Sequence, residues 1–277
     1  MTEPASFVGR CRDSAGLLVE TDEDRPSLEA TRFGAEVLAL TGSGPEAADL
    51  GFVAGARRGP AYAMHRGGEL SLGATYYALR LHELAGIAVP APAETGAWVA
   101  SSLVRDGSVG VDMDDLFYGI RSLLILALRL DRPAEDAVRE FLGRCTADGG
   151  GCALEPGHSA DIERTYCAVA ILQWLGADDD QLAAQRHAGF ATACDDGRGH
   201  IKMRPAEPAW SLASAYWGAR TVQLLGLPWR WEALGSAVRE CARPDGGYSA
   251  HDESTLWETY CALRVRRITA VRQGKPT

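Results

Sequence analysis

No stretch of this 277-residue chain gathers lysine and arginine into a patch, no apolar run reaches membrane-spanning length, and the seven cysteines include no C-x-x-C pair. Each absence excludes something. With a net charge of −9 and no basic stripe to displace counterions, a nucleic-acid partner is not expected. Without a run of about 20 apolar residues there is no transmembrane segment. An odd number of unpaired cysteines suits reduced thiols in a reducing compartment better than a disulfide framework. The start, Met1-Thr2-Glu3-Pro4-Ala5-Ser6, lacks the basic residues and apolar stretch of a secretion signal, so a cytoplasmic location is expected. What is present is 46% hydrophobic residues, ample for a buried core.

Internal repetition is the strongest signal. Outer-helix ends begin near Phe7, Phe52, Trp98, Phe141, Phe190 and Val238, and two of them, Phe7-Val8-Gly9-Arg10-Cys11 and Phe141-Leu142-Gly143-Arg144-Cys145, are nearly identical. A glycine-containing loop follows each, then an amphipathic inner helix. The inner helices begin at Ser27, Ser71, Asp112, Asp161, Ser211 and Thr255, all side chains able to cap a helix. Counting from these caps, the second position is Leu28, Leu72, Met113, Ile162, Leu212 and Leu256, and the eighth is Gly34, Ala78, Gly119, Ala168, Gly218 and Ala262. One face is therefore apolar with a small-residue notch, suited to close packing on an outer layer. That layer is expected around Pro45–Arg57, Ala93–Arg105, Pro133–Cys145, Asp180–Cys194 and Arg230–Cys241, with a stub before Ser27 and the tail Arg264–Gln273 covering the gap. Cys11, Cys145, Cys194 and Cys241 share one outer-helix register and read as packing residues.

The phrase running from Asp148-Gly149-Gly150 through Pro156-Gly157 to Asp161-Ile162-Glu163-Arg164-Thr165-Tyr166-Cys167-Ala168 has an echo. It is Asp245-Gly246-Gly247-Tyr248 followed by Glu258-Thr259-Tyr260-Cys261-Ala262. Together they resemble the repeat of protein prenyltransferase β subunits and squalene cyclase-type enzymes, over nearly the whole chain. The resemblance implies an all-α fold, a single α/α toroid domain over residues 1–277 with six helix pairs closed into a double ring. It also places the inner-helix N-termini at the mouth of an apolar cavity. Zinc prenyltransferases of that superfamily place an Asp and a Cys at positions one and three of one inner helix and a His at position four of the next. Here Ser211, Ala213 and Glu258 stand there, so zinc is not expected. Class II terpene cyclases carry D-x-D-D at the start of an inner helix, and Asp112-Met113-Asp114-Asp115 matches it, with Leu116-Phe117 where Thr-Ala often follows.

With the notched face outward, positions three, four, seven and ten face the ring axis. Position seven carries Phe33, Tyr77, Tyr118, Cys167, Trp217 and Cys261, joined by Trp257 at position three. Glu163, Arg164 and Glu258 stand at positions three and four, and Arg80, Arg121, Arg220 and Arg264 at position ten. Protonating an alkene needs an acid still protonated at neutral pH, and crowded, desolvated carboxylates supply one. Asp112 is expected to cap its helix as the ionised member, Asp114 to hold the proton, and Asp115 to orient it. Aromatic faces would steady a carbocation, and the four arginines would anchor a diphosphate. The acidic loop Glu20-Thr21-Asp22-Glu23-Asp24 is a candidate holder of Mg²⁺ against that diphosphate. His65, His158, His200 and His251 lie in the mouth loops, where one hydrogen-bonding the aspartate cluster is the functional possibility. The expected activity is cyclisation of a small isoprenoid, a prenyl diphosphate. The alternatives are a zinc-free enzyme acting on another polyene, and a non-catalytic toroid scaffold whose polar interior is an ion-pair lattice.

Overall fold

The structure is a computed structural model that describes residues 3–177, 186–251 and 253–274. Among the described residues there are twelve α-helices and two hairpins of two-residue strands. In chain order they are α1 (Pro4–Arg10), α2 (Leu28–Leu40), α3 (Ala47–Ala56), β1 (Arg57–Arg58), β2 (Ala61–Tyr62), α4 (Leu72–Ala85) and α5 (Pro92–Leu103). There follow β3 (Val104–Arg105), β4 (Ser108–Val109), α6 (Met113–Ile125), α7 (Arg132–Cys145) and α8 (Ile162–Trp174). The series ends with α9 (His187–Ala193), α10 (Leu212–Leu224), α11 (Trp231–Glu240) and α12 (Leu256–Arg272). The expected start of an outer helix at Asp178-Asp179-Asp180 lies outside the described residues.

The inner helices are α2, α4, α6, α8, α10 and α12, and each begins where its capping side chain stands. Ser27, Ser71, Asp112, Asp161, Ser211 and Thr255 accept from the backbone N–H three residues on, that of Ala30, Ala74, Asp115, Arg164, Ser214 and Glu258. Each thereby satisfies one of the orphan donors of a first turn. The tail from Arg264 continues the last inner helix, so that α12 runs for 17 residues.

The loops between outer and inner helices are tight antiparallel turns in every repeat. Two are the β1–β2 and β3–β4 hairpins. The others are single bridges, Arg12 to Leu18, Thr146 to Cys152, Asp195 to Ile201 and Ala242 to Tyr248. Buried threonines at the fifth inner-helix position tie these turns down. Thr75, Thr165 and Thr259 hydroxyls accept from the backbone N–H of Tyr62, Cys152 and Tyr248.

The chain forms two compact units. The first comprises Met1–Ser101, Arg121–Arg129 and Cys241–Arg264, the second Ser102–Ile120, Leu130–Glu240 and Val265–Thr277. In the first, α2 packs on α4 and α3, and the last repeat meets the first. Glu20 accepts from the backbone N–H of Leu256 and Trp257 at 2.6 and 3.0 Å, and the Thr21 hydroxyl donates to the Ser254 carbonyl. In the second, α8 packs on α10 and both touch α9.

The eighth-position notch is real; at Gly119 it meets the expected outer helix, whereas at Gly34 and Gly218 it meets a turn. A Cβ on Gly34 would stand 2.5 Å from Leu18, and one on Gly119 2.5 Å from Leu103. Gly218 is closed in the same way by Ile201. Leu18 and Ile201 belong to the tight turns and Leu103 to the end of α5 immediately before one. Gly34 and Gly218 therefore admit a turn aliphatic, and Gly119 the last residue of an outer helix, into the wall of the inner helix, where side chains pack at near-crystalline density. All seven cysteines are buried free thiols, as packing residues are.

Candidate active site

The sequence-predicted site residues divide between the two units. In the second, α6 and α8 stand one repeat apart, and the Met113 N–H donates to the Leu154 carbonyl in the loop that leads to α8. This brings the first turns of the two helices together. Asp112 caps α6, its Oδ1 accepting the Asp115 N–H at 2.9 Å. Asp114 does not stand alone. Both its oxygens accept from Arg164, Oδ1 from Nε at 3.0 Å and Oδ2 from Nη2. Arg164 Nη1 donates to Glu163 Oε2 at 3.0 Å and lies 3.5 Å from Asp161 Oδ2. Arg204 reaches Asp161 at 3.7 Å from the other side. Asp114, Glu163 and Arg164 side chains are 29%, 24% and 22% exposed, so the cluster is screened but within reach of a small molecule.

The electrostatics follow from this geometry. Burial raises the Asp114 carboxyl above the ordinary carboxylate range, and Arg164 opposes the rise. Asp115 is raised by burial and then by the charges of Asp112 and Asp114. Burial pushes Glu163 up to about 7, Arg164 working against it and Asp114 and Asp161 with it. The rise of Asp114 runs with the expectation that it holds the proton, and its guanidinium partner runs against it. A carboxylate forked by a guanidinium has both oxygens occupied by N–H donors, and a proton would displace one of them.

One turn beyond Asp114 and Glu163, on α6 and α8, stand Phe117 and Tyr166. Phe117 lies 5.6 Å from Tyr166, and Tyr166 5.1 Å from Trp217. Tyr118 and Trp217 are half-buried. Arg220 donates to Gln223 at 2.9 Å and reaches the Tyr166 hydroxyl at 3.5 Å, its guanidinium 5.6 Å from that ring. Cys167, one turn beyond Glu163, is buried.

In the first unit the central residue is one that the sequence reading passed over. Arg32 is 7% exposed, and its guanidinium lies 4.6 Å from the Phe33 ring, 4.8 Å from Tyr260 and 5.6 Å from both Tyr76 and Tyr77. It donates to the Tyr260 hydroxyl at 3.2 Å and stands 3.8 Å from Glu36. Glu36 is held more closely by Arg80, Nε to Oε1 at 2.7 Å, and Arg80 also reaches Glu83. Burial would raise Glu36, but Arg32, Arg80 and Arg264 together bring it below its ordinary value. Tyr77 donates to Glu29 at 3.0 Å, and Trp257 packs 4.8 Å from Phe33. Arg264 lies 5.9 Å from the Tyr260 ring. Glu258 sits half-buried in the first turn of α12 and Arg121 half-buried on α6. The anion on which Arg80 and Arg32 converge is thus the protein's own Glu36.

The acidic loop and the mouth-loop histidines have local partners. Glu20 spends its oxygens on the first-turn N–H groups of α12, so it is a helix cap and not a free metal ligand. Its neighbours Thr21, Asp22, Glu23, Asp24 and Arg25, with His65, line an open cleft of about 560 Å³. Three mouth-loop histidines serve local structure. His65 meets the Pro26 carbonyl at 2.8 Å, His200 the Asp196 carboxylate at 2.7 Å, and His158 lies 3.8 Å from Glu155. Among the described residues no three His, Cys, Asp or Glu side chains are grouped to hold a metal ion, and no helix is long and apolar enough to cross a membrane.

Comparison with known proteins places this geometry in a family. Residues 110–275 match the prenyltransferase alpha-alpha toroid domain, and the chain belongs to that family. Its fold class is accordingly the all-α toroid. The protein farnesyltransferase subunit beta of Arabidopsis thaliana is 24% identical over 153 residues, 53% of this chain and 32% of that protein. The chain thus spans about a third of the curated relatives it matches. Among solved structures, Candida albicans protein geranylgeranyltransferase-I complexed with GGPP superposes with a TM-score of 0.74 at 10% identity, over 89% of this chain and 85% of that one. The type II terpene cyclase MstE from Scytonema superposes with a TM-score of 0.67 at 13% identity, over 98% and 96%. A variant of MstE in complex with its substrate geranylgeranyl dihydroxybenzoate superposes with a TM-score of 0.64 at 13% identity.

Proposed function

We propose that this protein is a class II terpene cyclase-like enzyme that starts cyclisation of an isoprenoid by protonating it, with the Asp112, Asp114, Asp115 and Glu163 cluster as the acid. The observation that carries the reading is the half-buried carboxylate cluster at the first turns of α6 and α8, with one guanidinium in its midst. Burial raises Asp114, Asp115 and Glu163 together, the condition under which a carboxyl group keeps a proton near neutral pH. Phe117 stands one turn beyond Asp114 on α6, and Trp217 packs in the same aromatic group through Tyr166; aromatic faces attract a developing cation. The D-x-D-D spacing and the likeness to a toroid cyclase support the same reading, as do the isoprenoids bound by two of the structural neighbours.

In the proposed reaction an O–H bond of the cluster breaks and a C–H bond forms at one alkene carbon. The cation on the other carbon is attacked by a second double bond, closing a ring, and a proton leaves a neighbouring carbon to water. The product is an isomer of the substrate, with any diphosphate intact. The chain acts in this proposal as one toroid domain, soluble in the cytoplasm.

The test is incubation of the purified protein with geranyl, farnesyl and geranylgeranyl diphosphate and with a geranylgeranylated aromatic acid, with and without Mg²⁺. Products are examined by mass spectrometry after dephosphorylation. Cyclic isomers of the substrate are expected. Release of inorganic pyrophosphate during turnover, or binding without any product, would refute the reading, the second in favour of a binding scaffold. That alternative has its own support in the ion pairs Arg80–Glu36 and Arg164–Asp114.

A further inference from the structure

We infer that Arg220 anchors the substrate by a head group of single negative charge, the carboxylate of an isoprenoid acid, an inference that rests on the protonation reading above and narrows its substrate. Of the position-ten arginines expected to share a diphosphate, Arg80 is already neutralised by Glu36 and Glu83. Arg32 stands beside Glu36, and Arg164 serves Asp114, Glu163 and Asp161. Arg220, half-buried on α10, has no carboxylate partner among the described residues.

Its guanidinium is under-used. A guanidinium carries five N–H donors and stays charged at any pH a protein meets. Here Nη1 donates to the Gln223 side-chain oxygen at 2.9 Å, Nη2 reaches the Tyr166 hydroxyl at 3.5 Å, and Nε is buried without a partner. The Tyr166 ring, 5.6 Å from the guanidinium, offsets part of the cost of drawing that charge out of water. None of these neighbours is an anion. A carboxylate would supply the missing charge and accept two parallel N–H groups from the planar fork. A diphosphate brings several charges, most of which a single guanidinium leaves unbalanced in a half-buried setting.

The placement suits an anchor at the far end of the chain from the acid. Counted from their caps, Asp114 and Glu163 stand third on α6 and α8 and Arg220 tenth on α10, a difference of about 10 Å along the helix axis at 1.5 Å per residue. Between the two levels come Phe117, Tyr166 and Trp217, linked ring to ring at 5.6 and 5.1 Å. All of these residues belong to the second compact unit. A substrate held by its carboxylate at Arg220 would lay its apolar chain along these rings and bring a distal alkene to the carboxylate cluster. There an O–H bond of the cluster breaks and a C–H bond forms on the alkene, while the head group takes no part and stays paired with Arg220.

Binding to the intact protein, followed by tryptophan fluorescence, tests this with geranic, farnesoic and geranylgeranoic acids, the matching alcohols, and farnesyl diphosphate. At least one acid should bind at least about tenfold more tightly than its alcohol, the least that one charge-assisted hydrogen bond supplies. Arg220→Gln should remove that margin and leave the alcohol's affinity unchanged. Arg220→Lys, which keeps the charge and loses the fork, should fall between, and circular dichroism verifies that both variants fold. Equal affinity for acid and alcohol in the unmutated protein overturns the assignment, a result that needs no variant. So does a margin that survives Arg220→Gln, an equal loss for acid and alcohol, or tighter binding of farnesyl diphosphate than of every acid. The anchor and the cyclase reading fail separately. Acids held through Arg220 with no cyclic isomer formed overturn the cyclase and keep the anchor, whereas cyclisation of an acid at a rate indifferent to Arg220→Gln overturns the anchor and keeps the cyclase.

Discussion

Replacing Glu20 by alanine should destabilise the fold by about 2 kcal/mol, whereas the same change at Asp22 or Glu23, two and three residues on, should stay within roughly 0.5 kcal/mol. Glu20 gives one oxygen to the Leu256 N–H at 2.6 Å and the other to the Trp257 N–H at 3.0 Å, the first two donors of α12. Hydrogen bonds to a charged group contribute about 1.5–3 kcal/mol each. Against this, burial raises the Glu20 carboxyl, and removing the group relieves that desolvation. The balance falls near the upper end of the 0.5–2 kcal/mol lost when a helix cap is removed. Asp22 and Glu23 are exposed. Urea unfolding followed by circular dichroism measures the differences, and a fall of roughly 4–8 °C in Tm should accompany the Glu20 loss at 2–4 °C per kcal/mol. If the three substitutions cost the same, the contact does not staple the first repeat to the last. If Mg²⁺ stabilises the unmutated protein and that effect vanishes selectively with Glu20→Ala, the residue is a metal ligand after all.

Gly119→Ala pits helix propensity against packing. Propensity alone would stabilise by about 1 kcal/mol, but the new Cβ would stand 2.5, 2.8 and 2.9 Å from three carbons of the fully buried Leu103, and overpacking costs about 1–3 kcal/mol. Net destabilisation in urea unfolding is expected, and a gain in stability would show that Leu103 moves freely. Glu36→Gln should cost about 3 kcal/mol at neutral pH, since it leaves the buried charge of Arg32 without its carboxylate and the half-buried Arg80 with Glu83 alone. The folded-state value of Glu36 is lowered, so its stabilisation is complete above the unfolded value of about 4.3 and is lost as pH falls through the folded one. The stability gap between the two proteins should therefore narrow in acid, and a gap independent of pH would reject the pairing.

The sequence made the inner helices legible because a cap carries its own local hydrogen bond, and all six expected caps make it. It made the eighth-position notch legible as well, though not its occupant. A glycine records that something comes close, and nothing in Gly34, Gly119 or Gly218 says that one meets the end of an outer helix at Leu103 and the others the turn residues Leu18 and Ile201. The hairpins escaped notice because strands of two residues are too short to show alternation. The Asp114–Arg164 pair escaped for a different reason. Its members are 50 residues apart, yet they stand at positions three and four of successive inner helices, and each was read against its own helix. Comparing neighbours across one repeat period would have joined them.

Arg32 is the most instructive omission. Down the sixth inner-helix position stand Tyr76, Phe117, Tyr166, Tyr216 and Tyr260, with Arg32 alone breaking the series. The exception sits against two of its register-mates, Tyr76 and Tyr260, as a cation would in a ring of aromatic faces. An aromatic lining therefore does not by itself mark a place for a carbocation. Around Phe33, Tyr76, Tyr77 and Tyr260 the attraction is already taken up by a fixed guanidinium, which would repel a second positive charge. For the proposed reaction this separates the two aromatic groups by role. The cage around Arg32 holds the last repeat to the first, and Tyr166 is likewise faced by Arg220 at 5.6 Å, so in the unit of the carboxylate cluster the faces of Phe117, Tyr118 and Trp217 are those against which a cation would form.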